Sequence, residues 1–416
     1  MSTAKKYLSD RIEAIRNELT DISDKIHDFN EIGFKEFKSS KLQQEYLASK
    51  GFKIEANIAG METAFTAEYG SGSPVLAFLG EFDALEGLGH GCGHHLLGTG
   101  ALAPCIALKD YFEEEKSKGN KISGTIRFYA CPAEEGGSGK MFLAKDGYFK
   151  DVDAALSWHP GNRNGVAKTG NLGCYQVLYN FKGRSSHAAA QPENGRSALD
   201  AVELMDIGVN YLREHIPQEA RIHYAITETG GRAPNVVQSK AQVYYFIRSP
   251  HQKITKDLYA RVTKCAEGAA HMTETELNIQ FLSVCTEYVP NKVLVDLIEP
   301  KLFEYYDDVQ TQVEPSAGKG STDVGDVSWV VPTAYFSTAT WTKGTVGHSQ
   351  DIVDQGKSQL AYDGMINAAK IIADAALDLI EKPELLEQAK KEFKETLNGE
   401  VYDPGVPADF KPVIPN

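Results

Sequence analysis

The sequence predicts an α/β protein: a mostly parallel sheet with helices on both faces, split by an inserted α+β unit of ferredoxin-like order. Three observations predict it. Short apolar runs alternate with longer amphipathic segments up to residue 171, and again after Pro290. The stretch between them follows another order: strand, helix, two strands, helix, strand. And 416 residues are more than one core usually holds.

The elements follow from local pattern. Leu8, Ile12, Ile15, Leu19, Ile22, Ile26 and Phe29 recur in steps of three and four, laying one apolar stripe along a helix. Asn17, Asp21 and Asp24 fall on its wet side. Pro74 to Leu79 (PVLAFL) reads as a buried strand, Leu96 to Phe112 as a helix, and Gly124 to Ala130 and Ala154 to Trp158 as further strands. Strand, helix, strand at this spacing implies parallel pairing. Sites in such sheets gather beyond the carboxyl ends of the strands.

In mid-chain, Cys174 to Lys182 alternates like a half-exposed strand. A helix over Ser197 to Leu212 follows, then strands over Arg221 to Thr227 and Gln242 to Arg248, a helix from about Ile254 to His271 and a strand over Leu277 to Val284. We therefore expect residues 172–287 to form an inserted domain, and residues 1–171 with 288–416 to form the catalytic domain. In the latter, Leu294 to Tyr305 and Gln359 to Leu379 read as helices and Val330 to Phe336 as a strand. The proline-bearing tail (Pro404, Pro407, Pro412, Pro415) is expected to be extended or poorly ordered.

Composition excludes several function classes. Lys and Arg number 43 against 57 Asp and Glu, a net charge of -14. That balance argues against a nucleic-acid partner and against adhesion to anionic membranes. No apolar run reaches the ~20 residues of a membrane span. The start, MSTAKKYLSD, carries no apolar leader, and the 6 cysteines read as reduced thiols, so a cytoplasmic protein is expected.

The densest polar patch is GEFDALEGLGHGCGHHLLG, residues 80–98. Cys92 and His94 flank Gly93 there, a thiol and an imidazole able to share a borderline-soft ion. Alone, the pair also describes a buried cysteine beside a core histidine. PAEEGG places Glu134 and Glu135 side by side after a strand. Adjacent carboxylates repel and invite a cation, or simply line a solvated turn. His159 (SWHPG) and His348 (GHS) also lie beyond apolar runs or in glycine-flanked loops. Taken together, these residues suit a hydrolytic centre of two metal ions. In the insert, His187, Asn235 and Arg248 are donors able to hold an oxyanion or clamp a carboxylate.

These strings, with GRSSHAAAQPENGRSALDA, GGRAPNVV and GSTDVGDVSWVVP, resemble the co-catalytic metallopeptidase family of aminoacylases, glutamate carboxypeptidases and auxin-conjugate amidohydrolases, in its branch with a cysteine ligand. The resemblance covers about residues 5 to 400 and keeps motif order. It implies two divalent ions, Zn²⁺ or Mn²⁺, held by Cys92, His94, Glu135, His159 and His348. It implies Glu134 as general base, His187 as oxyanion holder from this chain or a neighbour, Asn235 and Arg248 as carboxylate readers, and Asp83 as the residue orienting a ligand. The implied reaction is cleavage of an N-acyl amino acid, with an aromatic acyl group such as aminobenzoyl as one candidate, or of a dipeptide. The inserted lid would pair two copies, with a heteromer as the alternative. A Cys92 nucleophile and a non-catalytic scaffold are the competing readings. His95 stands where relatives mostly carry Asn or Asp, as a neutral hydrogen-bonding substitute or a rival ligand. Asp323 and Asp326 belong to a string typical of the subgroup and receive no role.

Overall fold

The computed structural model describes residues 2–310 and 320–414. Its strands are β1 (Lys53–Ala56), β2 (Phe65–Ser71), β3 (Val75–Glu81), β4 (Gly124–Cys131), β5 (Ala154–Gly161), β6 (Gly165–Val166), β7 (Gly173–Lys182), β8 (Arg221–Glu228), β9 (Lys240–Ser249), β10 (Glu276–Cys285) and β11 (Thr333–Ala339). They form two sheets. The larger has the order β1-β2-β4-β3-β5-β11-β6. Its middle, β4-β3-β5-β11, is parallel, and antiparallel pairs close both edges. The parallel strands are buried on both faces, so they read as continuous apolar runs.

The amino-terminal stripe is real but belongs to two helices, Thr3–Ala14 and Arg16–Phe29, which break at Ile15. Leu8, Ile12, Ile15, Leu19, Ile22 and Ile26 are all buried. The helix His94–Ser117 is buried over its first half and runs beside β3, β4 and β5. β11 starts later than its apolar run suggested. Pro332 has no N–H to give a ladder, and Val330 and Val331 instead close a helical turn on Val327.

The second sheet, β10-β7-β9-β8, is antiparallel throughout. Helices Ala198–Leu212 and Gln252–Thr273 pack on one of its faces, over Tyr175, Val177, Val243 and Tyr245. This is the ferredoxin-like order expected from the sequence.

Among its described residues, 398–414, the tail carries no helix or strand, and Pro415 lies outside them; the tail is tied to β7 and to the helices Gly139–Lys145 and Val324–Ser328. Tyr402 Oη donates to Asp326 (2.8 Å), Tyr175 Oη donates to the Pro404 carbonyl (2.7 Å), and Phe410 stacks on Phe142. Among the described residues, no helix is long and apolar enough to cross a membrane.

Candidate active site

β3 ends at Glu81, and the chain runs through Asp83 and a loop to Cys92. Gly93 then turns with φ 76°, and the helix begins at His94. A Cβ on Gly93 would sit 2.9 Å from the Trp341 ring, so the tight link between thiol and imidazole needs glycine. β4 ends at Cys131, and Ala133, at φ 58°, turns the chain into Glu134 and Glu135. β5 carries His159 near its end, and His348 stands on a loop beyond β11. The donors therefore come from neighbouring carboxyl ends of the parallel strands, where such sheets place their sites.

The histidines are oriented as ligands. His94 Nδ1–H donates to Asp83 Oδ1 (2.9 Å), and the other Asp83 oxygen accepts the Glu135 N–H (2.9 Å). His159 Nδ1–H donates to the Pro160 carbonyl (2.6 Å). Both rings thus turn Nε2 inward. His159 Nε2 lies 3.5 Å from Cys92 Sγ, and His348 Nε2 lies 3.5 Å from Glu135 Oε1. His94 Nε2 lies 3.3 Å from Glu81 Oε2 and 3.8 Å from Glu134 Oε2. Three overlapping sets emerge: Cys92, His94 and His159; Cys92, Glu135 and His348; and Glu81, His94 and Glu134.

These separations fit cations. Nitrogen and oxygen donors at about 2.1 Å from a tetrahedral ion stand about 3.4 Å apart. Among the described residues, His94 Nε2 and Glu135 Oε1 are buried without a hydrogen-bond partner. Electrostatics points the same way. Burial, then Glu81 and Glu135, raises the Glu134 pKa well above the carboxylate range, and burial also raises that of Glu135. Burial pushes the Cys92 thiol up. Burial opposes charge on His94, but Cys92 and Asp83 raise its pKa well above 6.5. Burial lowers His159 to about 4, which keeps that ring neutral. Crowded acids and the neutral His159 ring suit a divalent ion, and an ion would take the place of the extra proton on His94.

A cavity of about 670 Å³ opens on this edge, with Cys92, Glu134, Glu135, His159 and His348 on its wall. The insert residues stand elsewhere. His187 and Asn235 lie on exposed loops joined by the bond from Ala188 N–H to the Asn235 carbonyl (3.0 Å), and neither lines the cavity. Arg248 donates to Ser321 Oγ (2.7 Å), and Ser321 does line it. His95 points away from the donors. Its Nε2 bonds the Gly356 carbonyl (3.0 Å), and its ring packs against His27 and His90. Asp323 pairs with the buried ammonium of Lys140, and Asp326 accepts from Thr286 and Tyr402. Glu81 and Lys140 escaped the sequence reading. Glu81 had one signal: it shares a strand face with Asp83 at the end of an apolar run. Nothing marked Lys140 as buried.

A strand-end cluster of thiol, imidazole and carboxylate donors beside an open cavity defines a hydrolase of the metallopeptidase class. Peptidase family M20/M25/M40 matches residues 77–378, and the chain belongs to that family, whose members hydrolyse amide bonds. It is 38% identical to the B subunit of p-aminobenzoyl-glutamate hydrolase from Escherichia coli K12, over 98% of each chain. It is 34% identical to the Xaa-Arg dipeptidase of Mus musculus, over 80% of this chain and 78% of that one. In structure it is similar to a dinuclear metal-binding M20 peptidase from Bacillus subtilis, with TM-score 0.62 and 18% identity, over 89% of this chain and 99% of the other.

Proposed function

We propose that this enzyme is a metal-dependent amidohydrolase that cleaves N-acyl amino acids such as aminobenzoyl-glutamate. The observation that carries the reading is the convergence of Cys92, His94, Glu135, His159 and His348 beside the buried carboxyl of Glu134. Those five would hold two divalent ions, Zn²⁺ or Mn²⁺; a thiolate suits zinc. When bound, the ions supply Lewis acidity toward the amide carbonyl and toward water. Glu134 takes the proton of the attacking water and returns it to the leaving amine. Asp83 holds His94 in the ligating tautomer and fixes the Glu135 backbone.

In this reading, residues 172–287 are a lid on a catalytic domain formed by 1–171 and 288–416. His187 reaches the oxyanion only when a lid loop meets the cavity, from this chain or a partner, and Asn235 and Arg248 read the substrate carboxylate. Leu204, Ile207 and Tyr211 on one helix and Tyr224 and Ile226 on the edge strand β8 form an exposed apolar face. That face supports a homodimer through the lid. The Escherichia coli hydrolase has two named subunits, both similar to this chain, which makes a heteromer the alternative. Six free thiols suit a reducing compartment, and the reading puts the enzyme in the cytoplasm.

A Cys92 nucleophile fits less well, because burial holds that thiol protonated. Elemental analysis with chelation and restoration tests the reading, on a panel of aminobenzoyl-glutamate, N-acetyl amino acids and dipeptides. About two ions per chain and chelator-sensitive turnover are expected. Turnover that survives chelation and dies with a thiol alkylator overturns it, and a preference for Xaa-Arg dipeptides moves the substrate.

A further inference from the structure

One buried charge at the site belongs to none of the roles above. Glu81 is fully buried at the end of β3. Its Oε1 lies 2.7 Å from Lys140 Nζ, and Lys140 is in turn paired with buried Asp323 through both its backbone N–H (2.9 Å) and its ammonium. Lys140 is itself 0% exposed. A lysine taken wholly out of water is tolerated only when well paired, and Lys140 finds both its partners in Asp323 and Glu81, which fixes the Glu81 carboxylate.

The other Glu81 oxygen faces the donors. Oε2 is 3.3 Å from His94 Nε2, a ring atom that is buried and, among the described residues, lacks a hydrogen-bond partner. With Nδ1–H committed to Asp83, Nε2 is the atom that faces Glu81. A ring nitrogen and a carboxylate oxygen at this distance need a positive centre against both: a proton on Nε2 when the site holds no ion, and the ion that displaces it when the site is filled. A separation of 3.3 Å is also close to the about 3.4 Å between neighbouring donors of one tetrahedral ion. Glu134 Oε2, 3.8 Å from the same nitrogen, completes the group.

We propose that Glu81 is a further donor to the metal centre, shared with His94, and that Lys140, anchored by Asp323, is the positioning residue that keeps its carboxylate aimed at the ion. The inference rests on the two-ion reading. It assigns one ion a carboxylate that is fixed by the protein instead of by substrate.

The test titrates metal-free protein with Zn²⁺ against a chromophoric chelator, and with Co²⁺ followed by visible absorption. Wild type should take up about two ions per chain. Glu81→Gln should weaken one of them by at least ~10-fold. It should also shift the Co²⁺ bands while the thiolate charge-transfer band of Cys92 persists. Glu81→Asp keeps the charge and withdraws the oxygen by one methylene, so it should weaken the same ion. It also serves if the Gln variant folds poorly by circular dichroism. Lys140→Met should weaken that ion too, by about 10–100-fold, as loss of a ligand's support does. Folded Glu81 variants with wild-type affinity and an unchanged Co²⁺ spectrum overturn this inference and leave the two-ion reading standing. A wild type that binds no metal overturns both.

Discussion

Replacing Glu36 should separate what a buried carboxyl does by shape from what it does by charge. Glu36 is fully buried, accepting the Ala133 N–H (2.8 Å) on one oxygen and the Thr63 hydroxyl (2.9 Å) on the other. Ala133 is the left-handed residue that turns the chain into Glu134, so this carboxyl pins the turn that aims the proposed general base. Burial, and then Asp83, raises its pKa from 4.5 to about 8, so metal-free protein carries it protonated at neutral pH. Glu36→Gln preserves shape and neutrality, with its carbonyl accepting from Ala133 and its amide facing Thr63. We expect it to cost under about 1 kcal/mol against fully protonated wild type. Glu36→Ala orphans two buried donors at about 1–3 kcal/mol each, and opens a cavity besides. The linkage has a definite sign. A folded-state pKa above the unfolded one means a contribution complete below about 4.5 and lost as pH climbs through about 8. At 1.36 kcal/mol per unit that loss is at most about 5 kcal/mol. The Gln variant lacks the loss, so it should already match or pass wild type at pH 6, where about 2 kcal/mol of it has occurred, and lead by more at pH 9. Urea melts of the metal-free proteins at pH 6 and pH 9 measure both effects. A Gln variant as unstable as the Ala variant at pH 6, or a wild-type gap unchanged between the two pH values, would refute the reasoning.

Glu134→Gln should keep both ions by elemental analysis yet lose at least ~100-fold in kcat, since an amide cannot accept the water's proton; near-normal turnover would remove Glu134 from the role. Tyr402→Phe deletes the tail's hydroxyl donor to buried Asp326 and should lower stability by about 1–2 kcal/mol in urea melts. An unchanged midpoint would mean the tail lies on the body without anchoring there. On the proposed lid-mediated dimer, Ile207→Asp puts a charge into the exposed apolar face of the Ala198–Leu212 helix and should shift sedimentation from dimer to monomer. A dimer that survives it would place the interface on another surface.

What the sequence disclosed, and what it hid, divides along a physical line. Buried parallel strands need apolar side chains on both faces, so β3, β4 and β5 announced themselves as runs, and the candidate donors were legible because they follow those runs. The insert's order of elements was legible because its central strands β7 and β9 alternate and its two helices carry apolar stripes. β1, at the edge, and β2 beside it went unread: β2 becomes strand by pairing with β4, Phe65 with Ala130 through Ser71 with Gly124, a partner about sixty residues away in sequence, and β1 pairs in turn on β2. The break at Ile15 was hidden because a stripe of apolar residues survives a kink that leaves both halves facing the same core.

The buried polar residues were harder still, because sequence pattern treats a charge as a surface mark. Lys140 sits in a short helix whose other residues include Met141, Phe142 and Leu143, and only the approach of Glu81 and Asp323 from distant segments makes its burial tolerable. His95 shows the converse. Its place next to His94 left two readings open, a hydrogen-bonding substitute or a rival ligand; consecutive residues of a helix point about 100° apart, so facing His94 to the donor cluster turns His95 into the His27–His90 cluster. Adjacency in the sequence suggested shared chemistry; the helical screw separates the two side chains, and the same screw lets a single glycine-led turn bring Cys92 and His94 to one place.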